Sequence, residues 1–389
     1  MTKSIDYSQD LFIDTDAALA AFCQSVAEAD ILAIDTEFIR EKTYYAKLCL
    51  IQIATDNQVA CIDPLAIKNI DPLLDILYDP NKLKLMHAAR QDMEIFYFMR
   101  RQLPCPVFDT QIAATILGHG DQIGYSMLIE AFSGVKLEKA HARTDWQQRP
   151  LQTAQLHYAA DDVRYLLQVY PIIRDKLIEL NRLDWPEEDF KALCQPGLYE
   201  VDEQTLWQRV SGHQRLKGNK LAIVQQLAVW REQQAIQHNR PRKWIMSDDL
   251  LIALAKQCPA SPAELNNIRG IPPRLVEQHQ ATLLDILERA AKLPKQAWPR
   301  LTIQRTSNEQ DAICDAAMAL LRLRATENKI SPTALSNRKE IERIVMGERD
   351  TPLLHGWRAE LAGNAVLALL TGELDLQVRE GRLTTQKLT

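Results

Sequence analysis

The 389-residue sequence has no run approaching eighteen apolar residues; the densest late stretch is only Val366-Leu367-Ala368-Leu369-Leu370. A membrane-spanning helix is therefore not expected. The opening residues, Met1-Thr2-Lys3-Ser4-Ile5-Asp6, lack a basic segment followed by an apolar one, so no secretory leader is expected. The cysteines Cys23, Cys49, Cys61, Cys105, Cys194, Cys258 and Cys314 form no Cys-x-x-Cys pair. That scatter argues against a zinc site or a disulfide framework and for reduced, packed thiols in a cytoplasmic protein. No Gly-x4-Gly-Lys-Ser/Thr occurs; the stretch from Gly212 to Lys220 has the wrong spacing and ending for a phosphate-binding loop.

The composition is that of a folded protein, 46% hydrophobic and 25% charged, and the length allows two or three domains. The net charge of −5 is unevenly placed. Residues 201–300 hold 15 basic and 9 acidic side chains, while residues 1–200 hold 19 and 30. An acidic part joined to a basic module suits an enzyme that holds a polyanion beside a cation site.

Two carboxylates lie one residue apart in Ile31-Leu32-Ala33-Ile34-Asp35-Thr36-Glu37-Phe38. The apolar run reads as a buried strand, and alternation places Asp35 and Glu37 on one face. Buried acids need a proton, a partner charge or a metal. Asp92 follows in His87-Ala88-Ala89-Arg90-Gln91-Asp92. Asp162 comes four residues after Tyr158 in Tyr158-Ala159-Ala160-Asp161-Asp162, and that spacing puts the two on one helical face. Asp161 is then expected to face solvent or an arginine. Four convergent carboxylates would repel strongly without cations, and hard divalent ions are the natural remedy.

This order and spacing resembles the DEDD exonucleases of the RNase H-like fold, in the subfamily whose third motif carries a tyrosine. Leu50-Ile51-Gln52-Ile53, Phe108-Asp109-Thr110-Gln111, Asp145-Trp146 and Arg149-Pro150-Leu151 are similar to the ribonuclease D family. The resemblance implies two-metal hydrolysis of phosphodiesters from the 3′ end, with Mg2+ or Mn2+. It implies that Asp35 is shared by both ions, that Glu37 and Asp162 complete one site, and that Asp92 supports the other. Tyr158 would orient the attacking water. The implied substrate is RNA, above all tRNA precursors with short 3′ tails, with no obligate protein partner and a monomeric enzyme. The rival readings are a DNA 3′→5′ exonuclease of proofreading or Werner type and a non-catalytic nucleic-acid scaffold.

Strands are predicted at 31–38, 47–54, 58–62 and 83–86, and helices at 17–29, 90–101, 109–117, 125–133 and 152–180. Pro186 and Pro196-Gly197 break the chain. Beyond them, Lys243-Trp244-Ile245-Met246-Ser247-Asp248-Asp249-Leu250-Leu251 and Glu264-Leu265…Ile268-Arg269-Gly270-Ile271 resemble an HRDC domain. Ser331-Pro332-Thr333-Ala334-Leu335 echoes its helix start. The expected architecture is an α/β RNase H-like exonuclease domain (1–200) followed by all-α HRDC-type domains at 207–291 and, more divergently, 298–375. Candidate RNA contacts are Phe38 and Gln52 near the terminal nucleotide. Lys139, Arg143 and Arg149 around Asp145-Trp146 could neutralise phosphates or order the loop. Arg215, Lys217, Lys220, Arg242 and Lys243 form a basic patch. Trp244 could stack on a base, with core packing the plainer expectation.

Overall fold

The computed structural model describes residues 9–137, 144–300 and 306–388. The chain forms two compact bodies. One comprises residues up to Glu37, Leu48–Leu198 and the segment from 305 onward; the other comprises Phe38–Lys47 and Tyr199–Gln304.

The first body is built on a six-stranded sheet. Its elements are β1 (Leu11–Ile13), α1 (Asp16–Ser25), β2 (Ile31–Ile39), β3 (Lys47–Ala54), β4 (Val59–Ile62), α2 (Asp71–Leu77), β5 (Leu83–Met86), α3 (Arg90–Arg100), β6 (Val107–Asp109), α4 (Thr110–Ile116), α5 (Tyr125–Ser133), α6 (Thr153–Glu179) and α7 (Glu187–Leu193). The strand order is β1-β4-β3-β2-β5-β6. The pairs β1–β4, β2–β5 and β5–β6 are parallel, while β3–β4 is antiparallel. Strand β2 is central, and its first half must be apolar on both faces. Leu32, Ala33 and Ile34 are accordingly buried. Asp35 and Glu37 are only half-buried, because the strand leaves the core there.

Helix α6 presents Ala159, Val163, Leu166, Val169, Ile173 and Leu177 as one buried stripe at helical spacing. Gln152 and Gln155 close a reciprocal cap at its start. The Thr15 side chain caps α1. The expected strands match within a residue. Strands β1 and β6 and helix α2 were not expected; three residues are too few to show a period.

The second body carries α8 (Asn219–Gln237), α9 (Arg242–Ile245), α10 (Asp248–Gln257), α11 (Pro262–Asn266) and α12 (Pro273–Ala291). Trp207, Val210, Leu216, Leu221, Val224, Leu227 and Trp230 enter its core. Trp244 does not: its side chain is 60% exposed, which overturns the core expectation. It lies in the single turn of α9, which has no second turn to bury a face.

The remaining elements are α13 (Asn308–Glu327), α14 (Pro332–Leu335), α15 (Arg338–Val345), α16 (Gly356–Arg358), a π turn (Ala359–Gly363), α17 (Asn364–Thr371) and a hairpin of β7 (Leu374–Arg379) and β8 (Arg382–Lys387). The succession of one long helix, one turn, one short helix and a long terminal helical run recurs from α8–α12. This part belongs to the first body. Trp357 stacks on Trp185 with centroids 4.3 Å apart and donates from Nε1 to the Trp185 carbonyl at 2.9 Å. Arg358 pairs with Asp189 at 2.6 Å. A Cβ at Gly363 would lie 2.2 Å from the Leu353 carbonyl oxygen, so only glycine admits that approach.

Cys105 and Cys194 form a disulfide, contrary to the expectation of reduced thiols throughout. They are 89 residues apart, so only the docking of α7 beside β6 brings them together. The other five cysteines are not in disulfides, and Cys23, Cys49, Cys61 and Cys314 are buried. Among the described residues no helix is long and apolar enough to cross a membrane.

Asp109 ties two helix starts together. Its carboxylate accepts from Gln111 N (2.8 Å) and Ile112 N (3.4 Å) at α4, and from Ala88 N (3.1 Å) and Ala89 N (2.8 Å) just ahead of α3. It is 2% exposed. Asp109→Ala is expected to lower stability by about 2–4 kcal/mol, because a cap is lost and buried donors are left unpaired. Asp109→Asn, which keeps one carbonyl oxygen, should lose less. Urea unfolding midpoints check the order; equal midpoints for wild type and Asp109→Ala would contradict it.

Candidate active site

Strand alternation and helical periodicity bring the expected acids together. Asp35 and Glu37 at the end of β2 and Asp162 on α6 place carboxylate oxygens within 4.8 Å of one another. Asp92, in the first turn of α3, is buried beside them and accepts a short hydrogen bond from the Thr36 hydroxyl. It stands outside the tight triplet, yet its charge is felt by Glu37, and that of Asp35 by Asp92. Thr36 therefore uses the opposite face of the same strand to hold the fourth carboxylate in place.

The electrostatics follow from crowding acids away from water. Withdrawal from solvent, then repulsion by Asp162, pushes Asp35 up to about 8. Burial, then Asp35, Asp162 and Asp92, push Glu37 up to about 10. Burial, then Asp161, pushes Asp162 up to about 8. Asp92 is raised by burial and then by Asp35. A bound divalent cation would reverse this penalty. The donor set is carboxylate oxygen alone, without histidine or cysteine, which fits a hard divalent ion.

Tyr158 shares the α6 face with Asp162. Its phenol is raised above its ordinary value by burial, then by Asp162, Glu37 and Asp35. It therefore keeps its proton and is a hydrogen-bond donor. The Trp146 ring packs 6.2 Å from it, almost fully buried. Asp161 turns away, to Arg164 at 3.2 Å; Arg164 also grips Asp10 at 2.6 Å.

Arg149 is fully engaged within the fold. It donates to both oxygens of Asp63 (2.5 and 2.8 Å), to the Cys49 carbonyl (2.8 Å) and to the Trp146 carbonyl (2.7 Å). Of its two expected roles, the geometry supports ordering the loop and not contacting phosphate. Gln52 is fully buried, with neither amide atom partnered among the described residues. It pairs across the sheet with Cys61, whose thiol reaches the Leu156 carbonyl of α6, so the amide lies on the α6 side. Phe38 is half-buried directly after Glu37. Lys139 and Arg143 lie outside the described residues. In the second body Arg215, Lys217, Lys220 and Lys243 are exposed. Arg242 differs from that expectation: it is ion-paired to Glu232 and lies over the Tyr44 ring at 5.0 Å.

Sequence reasoning missed Tyr125 and understated His87. Tyr125 opens α5 and donates to the Asp161 carbonyl at 2.8 Å, one residue from Asp162. His87 packs on the Tyr125 ring and uses both ring nitrogens, with Thr110 and with the Ile123 carbonyl at 3.0 Å each. Burial lowers its pKa, and a neutral ring with Nε2–H donating to the carbonyl satisfies both contacts. No local pattern marks Tyr125, because its partner is 36 residues away.

Residues 11–178 match the 3′-5′ exonuclease domain family and residues 220–287 the HRDC domain family. Ribonuclease D of Bartonella henselae is 35% identical over 381 residues, covering 96% of this chain and 92% of that one. Ribonuclease D of Zymomonas mobilis is 37% identical over 377 residues, covering 95% and 96%. The crystal structure of Escherichia coli RNase D, described as an exoribonuclease involved in structured RNA processing, superposes with a TM-score of 0.82 at 32% identity, covering 93% of this chain and 98% of that one. This chain belongs to the ribonuclease D family. It is a hydrolase, a 3′→5′ exoribonuclease, and membership implies use of divalent metal at the acidic cluster.

Asp35→Asn and Asp162→Asn are each expected to abolish turnover while leaving the fold and RNA binding intact. Asp161→Asn should be mild. A full-rate Asp35→Asn or Asp162→Asn enzyme would dismiss the assignment.

The raised acids carry a pH signature. Between about 4, the ordinary carboxylate value, and 8 to 10, the cation-free native state holds protons that the unfolded chain has released. Its stability from this cluster therefore falls as pH rises through that window. Divalent-ion binding at neutral pH should displace those protons and tighten as pH rises. Calorimetric titration in buffers of different ionisation enthalpy measures the release. Heats independent of buffer would refute it.

Proposed function

We propose that this chain matures the 3′ ends of tRNA precursors and other small structured RNAs, releasing nucleoside 5′-monophosphates. The observation that carries the reading is the meeting of Asp35, Glu37 and Asp162 within 4.8 Å on the face that also presents Tyr158. Structured RNA processing is stated for the Escherichia coli relative, and the stretch 201–300, with its net +6, is suited to a long polyanion.

Asp35, Glu37 and Asp162 are the residues that would hold Mg2+ or Mn2+, with Asp92 supporting a second ion and Thr36 fixing Asp92. Such a pair of ions, when bound, supplies charge stabilisation to the attacking and leaving oxygens and acidifies water. Tyr158 keeps its proton, so its part is to orient the nucleophilic water by donating or sharing a hydrogen bond. Trp146 holds the phenol ring from one side, and Arg149 fixes the loop that carries Trp146. The orphaned Gln52 amide, on the same side of the sheet, is suited to a group or water that arrives with the terminal nucleotide. The enzyme is read as a cytoplasmic monomer.

Cleavage of matched RNA and DNA oligonucleotides, labelled at either end, with and without EDTA, tests the reading. RNA-selective, EDTA-sensitive release of mononucleotides from the 3′ end is expected. Equal cleavage of DNA would favour the proofreading-type alternative, and no cleavage the scaffold. Tyr158→Phe should lower the rate by ~10²–10⁴-fold with RNA affinity little changed. An unchanged rate would reduce Tyr158 to a packing residue.

The basic surface is tested in the full chain, because residues from 306 onward pack on Trp185 and Asp189 and cannot be cut away neutrally. Neutralising Arg215, Lys217 and Lys220 together should weaken tRNA binding and flatten its salt slope by up to about one unit per phosphate contact removed. The loss should be similar across RNA sequences of equal size. Unaltered affinity and slope would make this face structural.

A further inference from the structure

The first body holds a surface pocket of about 550 Å³ lined by Phe108, Tyr170, Leu183 and Phe190. Both residues of the Cys105–Cys194 disulfide stand in its wall. Phe108 packs on Tyr170 and on Phe190, with centroids 5.0 and 4.9 Å apart, and these rings set α7 beside β6. Leu183 is 41% exposed, so the pocket opens to solvent along an apolar edge. Cys105 and Cys194 are each half-buried, whereas Cys23, Cys49, Cys61 and Cys314 are withdrawn from solvent. A small thiol can therefore reach this bond while the chain stays folded.

The charges around the bond suit an anionic visitor. Glu187 and Lys191 pair with each other at 3.1 Å. Arg174 is exposed and makes no ion pair among the described residues, so it is the open cation of the pocket. An apolar wall beside one open cation fits a small thiol that carries a carboxylate. Lys84, fully buried, donates from Nζ to the Cys105 carbonyl at 2.9 Å. Its positive charge beside Cys105 favours a thiolate there and makes Cys105 the better leaving group. The enzyme is read as cytoplasmic, where lasting structural disulfides are rare and those that form are mostly transient or redox-sensing.

What the bond holds is α7. Asp189 of that helix takes Arg358 at 2.6 Å, and Trp185, just ahead of it, stacks on Trp357. The C-terminal helices are thus docked on a segment that the disulfide ties to β6. We propose that Cys105–Cys194 is a reversible redox site, exchanged with a small anionic thiol that enters this pocket, and that opening it loosens α7 and the helices docked on it. In the opening step the thiolate of the entering molecule attacks Cys194 Sγ. The S–S bond breaks, and Cys105 leaves as a thiolate that takes a proton from water. A second small thiolate then attacks the mixed disulfide, Cys194 departs as a thiolate and is protonated, and the small-molecule disulfide is released. Two small thiols are oxidised and the protein bond gains two electrons; closing is the reverse and consumes the small-molecule disulfide. The proposal takes only its compartment from the reading above, and its readouts need neither RNA nor metal.

The test incubates the full chain with glutathione, an anionic tripeptide thiol, at varied ratios of reduced to oxidised form. Acid quenching, alkylation and peptide mapping by mass spectrometry report each cysteine. Reduced glutathione should open Cys105–Cys194 in the folded chain and oxidised glutathione should close it, with the four buried cysteines unlabelled throughout. The opened chain should melt roughly 5–10 °C lower. Hydrogen exchange should quicken over 187–193 and 356–371 and stay unchanged in β2. Arg174→Gln should slow opening by glutathione roughly 2- to 5-fold, the range for one exposed charge pair, and leave opening by uncharged 2-mercaptoethanol unaltered. In Cys105→Ser the glutathione adduct should collect on Cys194; if that variant fails to fold, the wild-type titration and Arg174→Gln carry the test. A bond that glutathione leaves closed until the chain unfolds, or a pair that stays as thiols in oxidised glutathione, would overturn the redox site. Equal hydrogen exchange in the two states would overturn its coupling to α7, and equal slowing by both thiols in Arg174→Gln would overturn the pocket as the entry for an anion. None of these failures touches the exonuclease reading, which is decided by cleavage of RNA.

Discussion

Three carboxylates within 4.8 Å, drawn partly out of water, are mutually repulsive, and the rest of the catalytic body is arranged around holding them there. Neither β2 nor α6 would choose this arrangement for its own stability. Asp35 and Glu37 stay together because a strand cannot turn one of them away without turning the other. Asp162 is carried on the same side of α6 as its buried apolar stripe, in line with Leu166, Val169 and Ile173, so packing of that side on the sheet delivers the acid as a by-product. The unfavourable part is what gives the site its affinity for hard cations: protons must leave before an ion can enter, and the ion then removes the repulsion.

A second layer of contacts keeps that geometry from relaxing. Thr36 holds Asp92 from the back of β2. Asp109 fixes the turn from which α3 starts, and His87 and Tyr125 tie that turn to the backbone at Asp161. Arg149, bidentate on the buried Asp63, anchors the loop that carries Trp146 against Tyr158. These are hydrogen bonds and ion pairs of short, fixed geometry, so a displacement at any one of them is passed to a carboxylate or to the tyrosine.

Within the helical body the segment Phe38–Lys47 is held by Asn239, Glu232 and Arg242. Arg242, which sequence suggested for RNA, is therefore part of a latch, while Trp244, which sequence suggested for a core, is on the surface. The two reversals have different origins: α9 is a single turn and buries no face, which leaves Trp244 outside, whereas Arg242 is set by Glu232 and by Tyr44, nearly two hundred positions away.

The amino-acid sequence by itself determined the chemistry: the same-face pair Asp35 and Glu37, the Tyr158–Asp162 helical pair, and Asp92 at a helix start are all short-range patterns set by backbone periods of two and 3.6. It also determined most strands and helices, because their apolar repeats are local. Only the tertiary structure decided that Asp92 stands outside the tight triplet, that Arg149 is a loop anchor, that Cys105 and Cys194 are bonded, that Tyr125 supports the site, and that the C-terminal helices dock on Trp185 and Asp189. These depend on contacts between residues far apart in the chain. Periodicity reports which face a residue occupies, but not what the fold will place against that face.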